Sequence, residues 1–384
     1  MTWAEIPNTQ IFGVMDQANF YPPYNPQSIL DYSGGDLVRL NGVLGFVITG
    51  GGHASTPDNS TIFVPFDSSG PRQLQGPYVS PDGIYQYDIP YEVYKPVGVW
   101  TDARKSVHTY SSILTIEKNG LPFLFLYGGS LHQGGGGGTE VTRLFNLSQT
   151  RAQAMARPDL GWQRVAPAPA GPVASSSGWD PVQKRVVTRS RSFVGAYYPD
   201  ENRWEDWNIN PNATFCCDFQ ASVAMDLVGR KMYVLGDRLA EMYDLDTKAY
   251  TDISGKPWTA QFVQSLDVGG SGAGPGVSWH ERTRQIVVWA SPCVFDAVGN
   301  LTCPSSGNTL LLINPATDVV KSVTMGGVTV TPQAIAGTYG RFRVIPGTDQ
   351  VVLLNSVHEN AFIGTVPFDD VPPPPPPPLS LIHI

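Results

Sequence analysis

One pattern recurs six times along the chain: a strand, a short polar turn, and a second strand of β-branched and large apolar residues. The turns with their second strands read LNGVLGFVITGG, EKNGLPFLFLYGG, DPVQKRVVTRS, DLVGRKMYVLGD, HERTRQIVVWAS and PGTDQVVLLNS. Asp, Asn, Gly and Pro in these turns supply the dihedral angles that tight hairpins need. The equivalent second-strand residues are Ile48, Leu126, Thr188, Val234, Val288 and Leu353. A repeat built only from strands indicates an all-β chain of six similar units.

Each unit extends to four strands. The third strands centre on Phe63, Leu144, Ala196, Met242, Leu312 and Ile363, and the fourth strands carry Leu74, Trp162, Trp204, Tyr250 and Val320. Six four-stranded antiparallel units in sequence predict a six-bladed β-propeller spanning residues 1–370. The predicted blades occupy about residues 28–77, 107–167, 172–208, 219–254, 276–324 and 338–367.

The sixth unit ends at AFIGTVPF and has no fourth strand of its own. Residues 2–6, TWAEI, resemble the fourth strands WEDW and GWQRV and precede the first repeat. Pairing this segment with the strand around Ile363 would close the ring and cover an open sheet edge. We therefore expect the N-terminal strand to complete blade six. The alternative is that Trp3 begins a frayed arm.

Composition limits the function more than it defines it. The 384 residues exceed what a single core usually holds, but each propeller blade packs only on its neighbours. The net charge of −8 and the scattered basic residues argue against nucleic acid as a partner. No apolar stretch approaches the roughly 20 residues of a membrane span, and no signal peptide is visible at MTWAEIPNT. We expect a monomer.

The C-terminal segment is read separately from the propeller. Seven consecutive prolines end at Pro378, within a Pro-rich segment 371–378 that is typical of a stiff linker between domains. The last six residues, LSLIHI, translate the transposase end sequence CTGTCTCTTATACACATC that is used in sequencing libraries. We expect residues 379–384 to be an artefact of such a library and a further domain to follow the linker; the alternative is a natural short tail.

Loop lengths differ between the two faces of the predicted ring. The first-to-second turns are short in all six units, and most third-to-fourth turns are short as well. Insertions gather in the second-to-third loops and the connections between blades: residues 76–106, 130–140, 255–276 and 291–308, with one exception at 150–160. Long loops on a rigid scaffold commonly carry binding, so this face is the predicted functional face. The alternative is neutral drift in surface loops.

All four cysteines fall on the same predicted face. Cys293 and Cys303 bracket a hairpin-like insertion and could form a disulfide, which favours an oxidising compartment. Cys216 and Cys217 are adjacent and could form a vicinal bond, pair elsewhere or stay reduced. The spacing is not that of a zinc site. Reduced, half-buried thiols are the alternative for all four.

The candidate ligand-binding residues cluster around this face and the central opening. Histidines at strand ends could hold a ligand, although such residues often bond backbone carbonyls of the next blade. An Arg beside a carboxylate could grip a sugar or an acid group, or could simply join two blades. Aromatic rings crowd the first long insertion and stack well on sugars. The candidates are His53, His108, His132, His358, Trp100, Arg189, Arg191, Asp237, Arg238 and Glu359.

Several motifs resemble the kelch repeat. The glycine pair after a hydrophobic strand, the aromatic residue of the third strand and the Trp of the fourth are its features. More narrowly, WAEIPNTQI, SVHTYSSILTI with LFLYGGS, and GTYGRFRVIPGTDQVVLLNSVHENAFI resemble bacterial and metagenomic kelch-type propellers of the galactose oxidase central-domain superfamily. The resemblance covers about residues 2–367 and departs where blades three to six lack the glycine pair. It implies the propeller fold and leaves the activity open.

The sequence is compatible with two main functional interpretations. The first is a non-catalytic recognition propeller, secreted or carried on a virion, whose insertion-rich face binds a glycan or a protein without a cofactor. The second is a carbohydrate-active enzyme, because kelch propellers include copper-radical sugar oxidases and a sialic-acid mutarotase. Copper oxidation would need two Tyr and two His converging centrally, and no motif places them. We expect no catalytic residue and no metal. A purely structural or intracellular interaction scaffold is a further alternative.

Overall fold

The structure is a computed structural model, and it describes residues 1–15, 30, 32–49, 60–75, 78–79, 85–88, 93–96, 107–131, 142–156, 162–172, 174–210, 221–236, 239–266, 274–289, 294–295, 301–302, 305–333 and 337–368. Six sheets of four or five strands, one for each blade, succeed one another along these residues. The all-β, six-bladed propeller that the sequence predicts is confirmed.

Blades one to five each contain four antiparallel strands in chain order, and the first strand of each lies innermost. Blade one contains Asp36–Leu40, Val43–Thr49, Thr61–Pro65 and Arg72–Gln75; blade two contains Ile113–Lys118, Leu121–Tyr127, Thr142–Asn146 and Trp162–Arg164; blade three contains Ser175–Asp180, Arg185–Ser190, Phe193–Tyr198 and Arg203–Asp206; blade four contains Ala221–Asp226, Lys231–Gly236, Leu239–Asp244 and Tyr250–Asp252; and blade five contains Gly276–His280, Gln285–Trp289, Thr309–Asn314 and Val319–Thr324.

Blade six is completed by the N-terminal strand, as the sequence predicts. Its own strands are Phe342–Val344, Gln350–Leu353 and Ala361–Thr365. Thr2–Ile6 pairs antiparallel with the last of these, Trp3 opposite Gly364 and Ile6 opposite Ala361. The other edge of Thr2–Ile6 is also paired, in parallel, with the two-residue strand Gly326–Gly327 that follows blade five. Both edges of the N-terminal strand therefore pair with another strand, and Trp3 is only 1% exposed.

The core is a series of apolar layers between neighbouring blades. β-Branched and aromatic residues of the second and third strands fill these layers because both faces of such strands are buried. The layer between blades five and six contains Trp3, Trp289 and Phe362, and that between blades four and five contains Trp258 and Phe262. The last two belong to the helix Pro257–Leu266; a shorter helix, Arg151–Ala156, precedes the fourth strand of blade two. Two 3₁₀ turns span Phe12–Val14 and Tyr339–Arg341.

The two faces of the ring differ in how the strands are connected. The short-turn face carries the first-to-second turns 41–42, 119–120, 181–184, 227–230, 281–284 and 345–349. The insertion-rich face carries the longer connections, and some of these contain accessory strands. Val107–His108 pairs with Ser130–Leu131, Val294–Phe295 pairs with Leu301–Thr302, and Tyr78–Val79, Tyr85–Asp88 and Val93–Pro96 form a three-stranded sheet. Among the helices that the structure describes, none has the length and apolarity to cross a bilayer.

Candidate functional site

Buried hydrogen bonds close the central channel at the level where the inner strands begin, on the insertion-rich side. The hydroxyl of Ser111 in blade two donates to the carbonyl of Ala221 in blade four (2.9 Å), so it spans past blade three. The hydroxyl of Ser222 donates to the carbonyl of Pro275, the residue that precedes the inner strand of blade five (2.6 Å). Ser111, Ser176 and Ser222 are all buried. These hydrogen bonds therefore connect the inner strands of blades two, four and five on this side.

Three tyrosines extend this closure across blades six, one and two. Tyr32, Tyr110 and Tyr339 precede the inner strands of these blades, and each has a positive φ, between 45° and 54°. A left-handed backbone is unusual for a large residue, so its recurrence at equivalent places marks a specific local structure. Tyr110 packs edge-on against Tyr339 (5.8 Å) and lies near Tyr32 (6.1 Å). Tyr339 is fully buried, and this burial raises the pKa of its hydroxyl well above the usual value.

His108 is the predicted site residue that belongs to this closure. Its imidazole is buried, stacks at a tilt on Tyr32 (4.7 Å), and its Nδ1 lies 3.0 Å from the hydroxyl of Tyr110. The short strand Val107–His108 pairs with Ser130–Leu131 and holds the ring in place. His108 thus links the accessory strands of blade two to the tyrosines over the channel.

Arg189 joins two blades through a buried ion pair. Its Nε and Nη2 donate to the two carboxylate oxygens of Glu241, at 2.7 and 3.0 Å, and both side chains are 2% exposed. The hydroxyl of Tyr243 donates to the same carboxylate (2.7 Å). This fork geometry satisfies the pair internally, which is the blade-joining role that the sequence left open. Arg191, two residues later, is exposed on the insertion-rich side.

The predicted residues of blade six lie together near the N-terminal segment. The imidazole of His358 is exposed and contacts the ring of Phe12 (4.6 Å). The carboxylate of Glu359 accepts a hydrogen bond from the hydroxyl of Thr331 (2.7 Å). The remaining candidates lie outside the described residues: His53, Trp100, His132, Asp237, Arg238 and the cysteines Cys216, Cys217, Cys293 and Cys303. The predicted disulfide and the ligand roles of these residues stay predictions.

A cavity of about 480 Å³ occupies the channel below the closed level. All six blades contribute to its wall, and its exposed rim residues, Glu281, Arg282, Pro346 and Gly347, belong to turns of the short-turn face. This volume lies in the range of small-molecule sites in proteins. The cavity therefore opens on the face opposite the one that carries the insertions.

An ion pair lies in the cavity wall, between blades six and one. Nε of Arg343 donates to Oδ1 of Asp36 (2.9 Å), and Nη1 of Arg343 lies 3.3 Å from the carbonyl of Val277. The other carboxylate oxygen of Asp36 accepts the backbone N–H of Thr115 (2.7 Å). Both ionic side chains are about one-fifth exposed, so each reaches the cavity while paired.

A second polar group sits at the rim, between blades five and six. Nε2 of His280 donates to Asp349 (3.1 Å) and lies near the carbonyl of Thr348, while Arg282 donates to both oxygens of Asp349 (2.8 and 2.9 Å). The imidazole of His280 stacks face to face on the ring of Phe368 (3.5 Å). Burial lowers the pKa of His280 against the opposing effect of Asp349, so the ring is neutral at neutral pH.

The cavity is the feature that sequence reasoning missed. Its aromatic wall comes from Trp179 and Trp279, which occupy the same next-to-last position of two inner strands. The aligned repeats GWDPVQK and SWHERTR contain this signal, because both place a Trp just before the first turn. The ion pair of Asp36 and Arg343 joins residues 307 positions apart, and no local pattern marks it. Within the residues that the structure describes, no group of three or more His, Cys, Asp or Glu side chains could hold a metal ion.

Comparisons with known proteins return similarity of structure alone. No protein-family model matches the chain, and no curated protein sequence matches it. The solved structure of YjhT aligns over 88% of this chain and 95% of its own, at 9% identity and a TM-score of 0.44. That of a luciferin-regenerating enzyme aligns over 88% and 91%, at 12% identity and a TM-score of 0.42. Similarities of this size carry no functional assignment.

Proposed function

We propose that this protein is a non-catalytic recognition propeller that binds a glycan or a protein on its insertion-rich face. The observation that carries the proposal is the one-sided distribution of its connections. The short-turn face is made of tight first-to-second turns, whereas the accessory strands lie in connections of the opposite face. Loops that build their own strands on a rigid scaffold present a shaped surface for binding.

The closed channel supports a surface site on that face. Ser111, Ser222 and Tyr339 lie at or just before the starts of inner strands on that side, and all three are buried. A ligand on this side would therefore meet an outer surface built from loops rather than enter the ring. Recognition of a large partner, such as a glycan chain or a protein, suits such a surface better than capture of a small molecule does.

We also propose that the chain is a kelch-type propeller. Blade two supports this with its paired glycines: Gly128 has a φ of +68°, and a Cβ there would lie 2.7 Å from Cγ of Pro172. The fourth-strand tryptophan of blade three packs on Tyr127 of blade two (4.8 Å) and on Tyr197 (5.2 Å). Kinship with kelch-type sugar oxidases or a sugar-acid mutarotase is the alternative reading of function.

We propose an extracellular or virion-borne location for a monomeric chain, with a disulfide between Cys293 and Cys303. Support comes from the sequence alone, because two cysteines that bracket one insertion suit an oxidising compartment. Thiol titration of the denatured, unreduced protein tests this. We expect at most two reactive thiols from the four cysteines, and four would overturn the disulfide. Light scattering after size exclusion checks the monomer.

A glycan array tests the recognition function when it is combined with loop replacement. We expect hits from the folded, oxidised chain to disappear when residues 76–106 are replaced by a short Gly-Ser turn. The matched control is Val182→Lys, an exposed residue (67%) on the short-turn face, which should keep every hit. Array hits that survive the replacement but vanish in the control would move the site to the other face. Stoichiometric copper in the purified protein would overturn the non-catalytic reading.

A further inference from the structure

The cavity has its own chemistry. Its exposed rim residues belong to turns of the short-turn face, so the opening that the structure describes lies on that side. This opening lies on the face opposite the recognition surface proposed above. What the cavity could hold follows from the charges and rings in its wall.

Among the described groups that line the pocket, one carboxylate, that of Glu281, is in no described ion pair; the nearby Arg284 is paired with Asp226. The wall contains three carboxylates, of Asp36, Glu281 and Asp349, and two guanidinium groups, of Arg282 and Arg343. Arg343 is paired with Asp36, and Arg282 with Asp349. The described donors to Glu281 are both uncharged: the indole N–H of Trp279 and the backbone N–H of Val228 (3.2 Å). With His280 neutral, the pocket retains about one negative charge, at its rim.

Two indole rings and a thioether stand beside this charge. Trp179, Met225 and Trp279 are the next-to-last residues of three successive inner strands, and each is partly exposed in the cavity wall. Tyr233 stacks on Trp279 (5.8 Å, 14° between planes) and supports its ring from blade four. The negative face of an indole attracts an organic cation, and a desolvated setting strengthens this attraction. Met adds a polarizable, adaptable surface.

We propose that this pocket binds an organic ammonium ion, with the carboxylate of Glu281 as the counter-charge and the rings of Trp179 and Trp279 as the cation-binding faces. The residual negative charge disfavours anions. Desolvation, with the nearby charge of Asp226, raises the pKa of Glu281 above its usual value, although Arg284 acts in the opposite direction. A cation beside this carboxylate would favour its ionised form.

Choline and its neutral carbon isostere 3,3-dimethylbutan-1-ol are the matched probes, because they share shape and differ in charge. Isothermal titration of the full chain should give saturable 1:1 binding of choline. We expect the neutral isostere to bind at least about tenfold more weakly, a difference of about 1.4 kcal/mol. Equal affinity for both probes, no saturable binding of choline, or saturable binding of glucose without choline would overturn the proposal.

Variants locate the binding. Glu281→Gln should weaken choline binding by about tenfold or more while leaving the weak binding of the isostere unchanged. Glu201→Gln is the matched control, because Glu201 is exposed, pairs with Arg203 and does not line the pocket; it should bind choline as the parent does. Trp279→Leu removes the ring and the indole donor to Glu281, whereas Trp279→Phe removes the donor alone, so binding should fall further in the first variant than in the second. Thermal melts establish that each variant is folded, and a folded Glu281→Gln protein with unchanged affinity would sink the assignment.

Discussion

The guanidinium group of Arg230 donates hydrogen bonds of 2.8 Å to both carboxylate oxygens of Asp180, across the boundary between blades four and three. Asp180 ends one inner strand, and Arg230 lies in the first-to-second turn of the next blade with a φ of +54°. Blades four and five repeat the arrangement with Asp226 and Arg284. At the boundary between blades five and six the donor and the carboxylate exchange places: His280 ends the inner strand, and Asp349 lies in the turn of the next blade. One turn position therefore clamps neighbouring blades together.

Arg230→Met should destabilise the fold by about 3–5 kcal/mol, because it leaves the buried carboxylate of Asp180 with less compensation. Lys184→Met is the matched control. Lys184 occupies the same turn position one blade earlier, but its contact with Glu117 is exposed and long (3.9 Å). We expect the control to change stability by less than about 1 kcal/mol. Denaturant unfolding followed by Trp fluorescence measures both, and equal losses would contradict the clamp.

The same carboxyl predicts an acid-dependent stability. Desolvation opposes the charge of Asp180, but the hydrogen bond and charge of Arg230, aided by Arg185, hold its pKa below the usual value of 3.8. A lowered folded-state pKa gives stability that is complete above the unfolded value and declines as the pH falls through the folded one. The Asp180→Asn variant has no carboxyl group at this position, so it lacks this pH-dependent contribution to the free energy of unfolding. The stability gap between parent and variant should be constant near neutral pH and narrow only below about pH 4. A gap that stays constant down to pH 2 would refute the linkage.

Removing the closing strand should open blade six. Trp3 is buried beside Trp289 and Phe362, so Trp3→Ala should cost about 3–5 kcal/mol. Deletion of residues 1–7 should lower the Tm by several degrees or more, for the same reason. Thr2→Ala, in the same strand but exposed, should stay within about 0.5 kcal/mol of the parent. An unchanged melt after the deletion would mean that the ring closes without this strand.

Substitutions at two glycines with nearly the same φ distinguish the cost of backbone strain from the cost of a steric clash. Gly327 and Gly42 have φ values of +83° and +84°. A Cβ on Gly327 would lie 2.2 Å from the carbonyl oxygen of Trp3, whereas one on Gly42 would meet nothing within 4 Å. Gly42→Ala should cost about 1–2 kcal/mol, from the left-handed backbone alone. Gly327→Ala should cost about 1–3 kcal/mol more, because the N-terminal strand must shift. Calorimetry measures both variants, and similar losses of stability in Gly42→Ala and Gly327→Ala would contradict this account of the parallel pairing.

The sequence predicts the fold through features that repeat. Strand centres such as Thr188, Val234 and Val288 lie in second strands because their turns and apolar runs follow one local rule. The closing role of Trp3 could be predicted because blade six lacked a strand and the N-terminal segment resembled one. The sequence does not predict the helix Pro257–Leu266, since it occurs once, within an insertion, and has no equivalent in the other repeats.

The candidate sites were less predictable because side-chain partners lie far apart in sequence. The sequence predicts Arg189 as a candidate ligand contact, but its partner is Glu241, 52 residues away in the next blade. The left-handed Tyr32, Tyr110 and Tyr339 precede equivalent strands, yet their φ values depend on contacts across the channel. The alignment placed Asp180 and Arg230 in separate turns; only the curvature of the ring brings them together.

The pairing of the first strand with the last has a mechanical consequence. Trp3 lies opposite Gly364 and Ile6 opposite Ala361, so both ends of the propeller chain leave from one end of the same ladder. Tension applied between the two ends would unzip this ladder one hydrogen bond at a time, beginning at Trp3, rather than load all its bonds at once in shear. A propeller pulled by both ends would thus open first where Thr2–Ile6 pairs with Ala361–Thr365. A propeller attached to another structure through one end alone would not be under tension between these two strands.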